Sequence, residues 1–231
     1  MVDWRTFDFA GWVERMRAFY ATLPVRLEGV DLTHEAGDDA AWIRPPLTGD
    51  ELTRFECDLP RAIPPALARF LCTASSGIDA VYFWEPPEEI QRHLFKIYGW
   101  HAINGGIYEL CSTRAMLEQL KFVQRCAEDP DIWPEDMPGE REFRQHTLPI
   151  GAVGPDDHVA LDLRDHPEDP PVHYLGHMES YTIAEHFTDF LVQWERLAYL
   201  DPSRLERFRD PESGYWRTDT ELAVRLRAFV G

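Results

Sequence analysis

Apolar positions along this chain follow two periods, and the switches between them mark out its elements. Phe9, Trp12, Val13, Met16, Phe19, Tyr20 and Leu23 recur at steps of three and four. That spacing predicts an amphipathic helix packed on a core, with Asp8 as N-cap and Pro24 as its end. Val25, Leu27, Val30 and Leu32 hint at a strand, Gly37-Asp38-Asp39 at an acidic turn, and Trp42-Ile43 at a second short strand, so residues 25–47 read as a connector. Thr48 and Glu51 form a capping box, followed by Leu52, Phe55 and Leu59 on one helical face. Leu59-Pro60 interrupts that helix. Pro64-Pro65 starts another, burying Leu67, Phe70 and Leu71, with Gly77 as its stop.

After Gly77 the period changes. Ile78 to Trp84 reads as a strand, and Glu88 to Tyr98 as a short helix carrying Ile90, Leu94 and Ile97. Gly105-Gly106 reads as a turn leading into a strand at Ile107–Leu110. Ser112 or Thr113 then caps a helix with Met116, Leu117, Leu120 and Val123 inward. The polar, proline-punctuated stretch 128–146 reads as a loop around Trp133. Three strands follow, at Leu148–Gly151, His158–Leu163 and Val172–Leu175, separated by turn-rich acidic segments; they predict an antiparallel meander. Thr182 and Glu185 form a second capping box, opening a long helix with Ile183, Phe187, Phe190, Leu191, Trp194, Leu197 and Ala198 on one face. A short helix around Leu205 and Phe208 and a terminal one from Thr218, with Leu222, Leu226 and Phe229 inward, complete the chain.

Composition sharpens this picture. Hydrophobic residues make up 44% of the 231, with 13 Phe, 8 Tyr and 8 Trp, which is enough apolar surface for a folded core. Charge is the unusual feature: 41 Asp and Glu stand against 23 Lys and Arg, a formal net charge of -18. Such a field repels phosphate backbones and anionic lipid, and it attracts basic surfaces. The first residues lack the basic-then-apolar order of a signal peptide, and no apolar run is long enough to span a bilayer. Cys57, Cys72, Cys111 and Cys126 form no Cys-x-x-Cys pair and read as reduced, buried thiols, so a cytoplasmic location is expected.

Candidate chemistry is sparse. Gly-x-Ser-x-Gly, phosphate-loop and His-Glu-x-x-His patterns are absent, and no cofactor is implied. His158, His166, His173 and His177 lie near Asp162, Asp165 and Asp169, a set whose ligand types suit a divalent metal. However, the four-residue step from His173 to His177 aligns side chains on a helix, and a strand and turn are expected there. Adjacent carboxylates such as Glu88-Glu89, Asp156-Asp157 and Glu168-Asp169 read as solvated loops, because catalysis needs one of a pair held in a pocket.

Three stretches carry a family resemblance. Leu52-Thr53-Arg54-Phe55-Glu56 through Leu59-Pro60 to Ala68-Arg69-Phe70-Leu71 resembles the opening helices of the SUKH superfamily, the domain of the fungal Smi/Knr-type cell-wall synthesis regulators and many bacterial relatives. Leu148-Pro149-Ile150-Gly151, Ala160-Leu161-Asp162-Leu163 and Pro171-Val172-His173-Tyr174 resemble its central strands. Ile183-Ala184-Glu185-His186-Phe187-Thr188-Asp189-Phe190-Leu191 is similar to its closing helix, with His186 where Ser is common. Ser75-Ser76-Gly77 departs from the family's Asn-Gly-Gly.

The resemblance implies an α+β fold with a curved, mostly antiparallel sheet and flanking helices at 48–198. It leaves a helix and connector at 1–47 packing on the core, and a helical extension at 199–231. It also implies a non-enzymatic, protein-binding role. Bacterial members are often immunity proteins that neutralise toxins, many of them nucleases, whose basic clefts an acidic protein can occupy. A scaffold or regulatory module binding an endogenous partner is the alternative, and a metal-dependent enzyme built on His158–His177 a third. Expected contacts with a basic toxin domain are exposed acids in two loops, Asp156, Asp157, Asp165, Glu168 and Asp169, together with Glu85. Trp84 and Trp100 are the candidate aromatic anchors, with core packing as the other reading of each.

Overall fold

The computed structural model describes residues 2–33, 42–129, 138–164, 166–176 and 180–230. Seven strands, β1 (Asp31–Thr33), β2 (Ile78–Trp84), β3 (Ile103–Leu110), β4 (Thr147–Ala152), β5 (His158–Asp162), β6 (Val172–Leu175) and β7 (Ser180–Ala184), pair in chain order. Every pairing is antiparallel. The helices are α1 (Phe9–Arg26), α2 (Gly49–Asp58), α3 (Pro65–Thr73), α4 (Glu88–Tyr98), α5 (Thr113–Glu128), α6 (Pro138–Gln145), α7 (Phe187–Arg196) and α8 (Glu221–Val230), with a 3-10 helix at Pro202–Phe208. This is the α+β fold, with a mostly antiparallel sheet and flanking helices, that the strand pattern and the resemblance predict.

Strand alternation sends the two sheet faces into different surroundings. Leu148, Ile150, Val159, Leu161, Val172, Tyr174, Tyr181 and Ile183 enter a large core shared with α1, α3 and α7. There Trp12 stacks on Trp194 at 6.3 Å, and Phe70 meets Phe187 edge-on at 5.8 Å. On the opposite face Ala160 and Leu175 form a smaller cluster with Val123 of α5 and Phe143 of α6.

Helix ends follow the expected chemistry at several points. Asp8 accepts from the Gly11 N–H, the Thr48–Glu51 capping box is complete, and Ser112 caps α5. The helix α1 runs past Pro24 to Arg26, because a proline this close to the end forfeits little and Leu27 N–H still closes on Leu23 O. Conversely, α3 stops at Thr73, before Gly77. Ser75 turns the chain there, donating to Arg44 O and accepting from Gly77 N–H.

Other expectations are corrected. Among the described residues of the connector only Asp31–Thr33 forms a strand, and Trp42-Ile43 contributes a single bridge, Ile43 to Ile78. The Gly37–Asp39 turn and Trp133 lie outside the described residues. Gly105 and Gly106 sit inside β3. A helix, α6, occupies part of the expected 128–146 loop, held by Arg144, which binds Glu140 Oε1 at 3.0 Å and Gly176 O at 2.7 Å.

The supposed capping box at Thr182 and Glu185 is not one. Residues 180–184 are a strand paired with β6, and α7 begins only at Phe187. Among the terminal-helix positions Leu226 is buried, Leu222 and Phe229 pack partly buried against the core, and Ala223 and Val230 complete the inward face. All four cysteines are free thiols. Cys111 is fully buried, Cys72 and Cys126 partly so, and Cys57 is exposed, contrary to the expectation of four buried thiols.

Candidate functional site

The strand β5 is central to the meander, and its two ends carry different groups of the predicted contact residues. At one end, in the β4–β5 turn, Asp156 is exposed and Asp157 half-buried. Asp157 accepts the Tyr174 hydroxyl at 2.8 Å, and its backbone carbonyl takes the Val153 N–H. Asp201, at the start of the 3-10 helix, accepts from the Ser203 N–H and hydroxyl. Burial raises its pKa, with the charge of Asp157 adding to the rise. Asp201 N–H bonds Asn104 O of β3, so this acidic pair sits beside the β2–β3 end of the sheet.

The two tryptophans near that end are core residues. Trp84 is buried with its indole N–H donated to Glu28 O at 3.1 Å, and Trp100 is buried against Tyr98 at 4.9 Å. Neither presents the open aromatic face that an interface anchor requires, because each indole fills a gap between the sheet and a neighbouring segment. Glu85, next to Trp84, is exposed.

The other end is the loop between β5 and β6. Glu168 is exposed and paired with Arg5, and Asp165 lies outside the described residues. Asp169 is buried, contrary to its expected exposure: its carboxylate takes the Thr188 N–H at 3.3 Å and the Thr188 hydroxyl at 2.6 Å. It caps α7 from a distance in sequence, supplying the acceptor that Thr182 and Glu185 do not. Desolvation raises its pKa, and the Thr188 hydrogen bonds oppose that rise. Of the eight predicted contacts, four lie in the loops at the two ends of β5, two are buried indoles, Glu85 follows β2, and Asp165 lies outside the described residues.

On the α6 side of the sheet two members of the candidate metal set, Asp162 and His173, come together with Arg164. Asp162, buried at the end of β5, is gripped in two-pronged fashion by Arg164, at 3.0 and 2.7 Å. Burial would raise Asp162, but the Arg164 hydrogen bonds outweigh it and hold the carboxyl below its ordinary range. His173 Nε2 lies 3.7 Å from Asp162 Oδ2, its Nδ1 is 3.4 Å from Thr182 Oγ1, and its ring packs on Phe143 at 4.7 Å.

The histidines do not converge. His158 packs under Phe122, His173 beside Asp162, and His166 against His186, while His177 lies outside the described residues. Among the described residues no group of three or more His, Cys, Asp or Glu side chains is placed to hold a metal ion.

Two of these rings have a consequence for stability. Burial pushes both His158 and His173 down to about 4. An unfolded histidine titrates near 6.5, so between about pH 6.5 and pH 4 the unfolded chain binds the extra protons. Stability therefore falls as pH drops through that window and stops responding to these groups below it. The expected loss is about 1 kcal/mol per histidine between pH 6 and pH 5. Urea unfolding of wild type and His158→Leu across this range checks it; an unchanged slope in the variant refutes the assignment for His158.

Taken together, the sheet, its covering helices and its acid-bearing loops define a class: an α+β meander protein whose described residues show no assembled catalytic centre. The chain belongs to the SMI1 / KNR4 family (SUKH-1), whose model matches residues 46–193. No curated protein matches the sequence. The matched span covers α2 to most of α7 and leaves α1, β1 and the C-terminal helices outside it. Among the described residues no helix is long and apolar enough to cross a membrane.

Proposed function

We propose that this chain is a non-enzymatic immunity protein that neutralises a basic bacterial toxin domain by binding it. Family membership supports the broader statement, a protein–protein interaction module. The observation that carries the finer one is charge: a net -18, with exposed acids at both ends of β5, at Asp156 and Glu168, and at Glu85 after β2. At β5 and β6 both faces of the sheet are covered, one by the main core and the other by α5 and α6, so the loops at the ends of β5 are the contact surfaces this reading uses. A nuclease-type toxin offers the complementary basic cleft.

The test is to seek a basic toxin domain encoded beside this chain's gene and to measure binding to it by biolayer interferometry across a salt series. We expect a stable complex whose association slows by about tenfold or more between 50 and 500 mM salt, since long-range steering is screened beyond a Debye length. No complex, with the neighbouring product folded, overturns the toxin reading. Tight binding to an endogenous protein in its place would establish the scaffold role. Salt-independent association would refute the electrostatic contact and point to an apolar interface.

A further inference from the structure

A cleft of about 620 Å³ lies between the N-terminal segment and the β5–β6 loop, lined by residues 2–5, 166–169 and His186. Its volume falls within the roughly 300–1,000 Å³ typical of small-ligand sites. The groups around it are mostly acceptors. Asp3, Glu168 and Asp169 contribute three carboxylates, and Arg5 is the cation among the lining residues. The amino end of α7 adds about half a positive charge, which leaves the lining negative.

His186 supplies an independent sign of a missing ligand. The side chain is 8% exposed, and its Nδ1 lies 2.8 Å from Asp169 O. A carbonyl only accepts, so Nδ1 carries the proton, and in the neutral ring Nε2 is an acceptor. Among the described residues that nitrogen is buried with no hydrogen-bond partner. A buried, unmatched acceptor beside the Asp3 and Glu168 carboxylates, which share the single Arg5 guanidinium, suits a cationic donor.

The chain itself shows which cation suits the place. Arg5 lies with its guanidinium 4.9 Å from the centre of the Trp4 ring and paired with Glu168, and Asp3 lies 3.7 Å away. An aromatic plane backed by carboxylates is the arrangement that selects guanidinium over ammonium, through stacking and two-pronged hydrogen bonding. Arg5 and Glu168 are both well exposed, so their pair contributes little to folding and can be exchanged.

We propose that this cleft is a receptor for an arginine side chain presented by the protein partner, which displaces Arg5 from Glu168 and offers a donor to His186 Nε2. The proposal rests on the reading that the chain binds a basic protein, and it assigns that protein's anchoring residue.

The probe is N-acetyl-arginine amide, titrated into the full chain while the His186 ring nitrogens and the Trp4 indole are followed by NMR. Expected is a saturable shift of both, absent with the uncharged citrulline analogue and weaker with free arginine, whose carboxylate the cleft repels. Glu168→Gln should weaken binding about fivefold, the loss of one charge-assisted hydrogen bond. Arg5→Ala should strengthen it several-fold by vacating Glu168, a sign opposite to that of a structural strap. No saturable shift, an equal response to citrulline, or weakened binding in Arg5→Ala overturns the proposal. Glu168→Gln binding the toxin as tightly as wild type also overturns it and leaves the partner reading standing. Arginine-amide binding with no toxin complex leaves the cleft standing without that partner.

Discussion

Gly106→Ala is expected to lower the unfolding free energy by about 3 kcal/mol or more. Gly106 has φ +106°, a backbone conformation that L side chains rarely adopt, and a Cβ there would meet Ala80 O at 2.1 Å and Val81 Cα at 2.5 Å. Those atoms belong to β2, directly across the ladder from Gly106, so relief means breaking the β2–β3 register. On its other side the glycine pair receives the segment after α7: Gly106 N–H donates to Tyr199 O at 2.7 Å, and Gly105 bridges Leu200. A Cβ on Gly105 would meet the Tyr82 ring at 2.0 Å. Gly49→Ala is the control, since nothing lies within 4 Å of its added methyl and the position is helical; it should be neutral or slightly stabilising. Urea unfolding of the three proteins decides the matter. A Gly106→Ala variant within about 1 kcal/mol of wild type would refute this account of β3.

The glycine pair also shows where sequence reading reaches its limit. Two adjacent glycines before an apolar run read as a turn, because local chemistry records only conformational freedom. What β3 requires is close approach by Tyr82 and by the backbone at Tyr199, and neither is visible nearby in sequence. The same limit explains the misassigned helix start. Ser180 to Ala184 alternates, with Tyr181 and Ile183 buried, but Ile183 also fits the helical spacing of α7, so the strand was absorbed into the helix. The acceptor for the α7 amino end lies on Asp169, in another loop. The helix α6 has a different cause: Phe143 is buried, and Arg144 ties the helix to the β6–β7 segment by hydrogen bonds to Gly176 O and Ser180 Oγ. Long amphipathic helices, the capping box at Thr48 and the meander were legible because their signals are local and periodic.

The candidate site was legible only in composition. Acidity and the positions of Asp156, Glu85 and Glu168 on exposed segments follow from turn-forming sequence. The burial of Asp169 and Trp84 does not, since each is decided by a partner distant in the chain, Thr188 and Glu28. The cleft formed by Trp4, Arg5, Glu168 and His186 joins residues more than 160 positions apart, and no local pattern announces it. Asp3-Trp4-Arg5 reads in isolation as an ordinary polar start.

Trp12→Ala is expected to cost about 3–5 kcal/mol, although Trp12 lies outside the family-matched span of 46–193. Its indole is fully buried, donates to Leu191 O at 3.0 Å, and packs against Phe70, Trp194 and Tyr199. Phe9, Val13, Met16, Tyr20 and Leu23 bury the rest of the same helical face, and Tyr20 donates to Ala80 O of β2 at 3.0 Å. From the far end, Leu200, Leu205, Phe208, Trp216 and Leu226 enter the same core cluster. The matched segment alone would expose the surface these residues cover, and apolar burial at about 25 cal/mol per Å² makes that loss larger than typical net stability. A fragment of residues 46–193 should therefore show no cooperative thermal transition, and Trp12→Ala should melt on the order of 10 °C below wild type. Calorimetry of the fragment, the variant and the full chain tests both. A fragment that melts cooperatively near the wild-type temperature would make α1 and the C-terminal helices accessories. The expected result makes them parts of the same folding unit, and it means that the acidic loops and the cleft at Trp4 can be assayed only on the full chain.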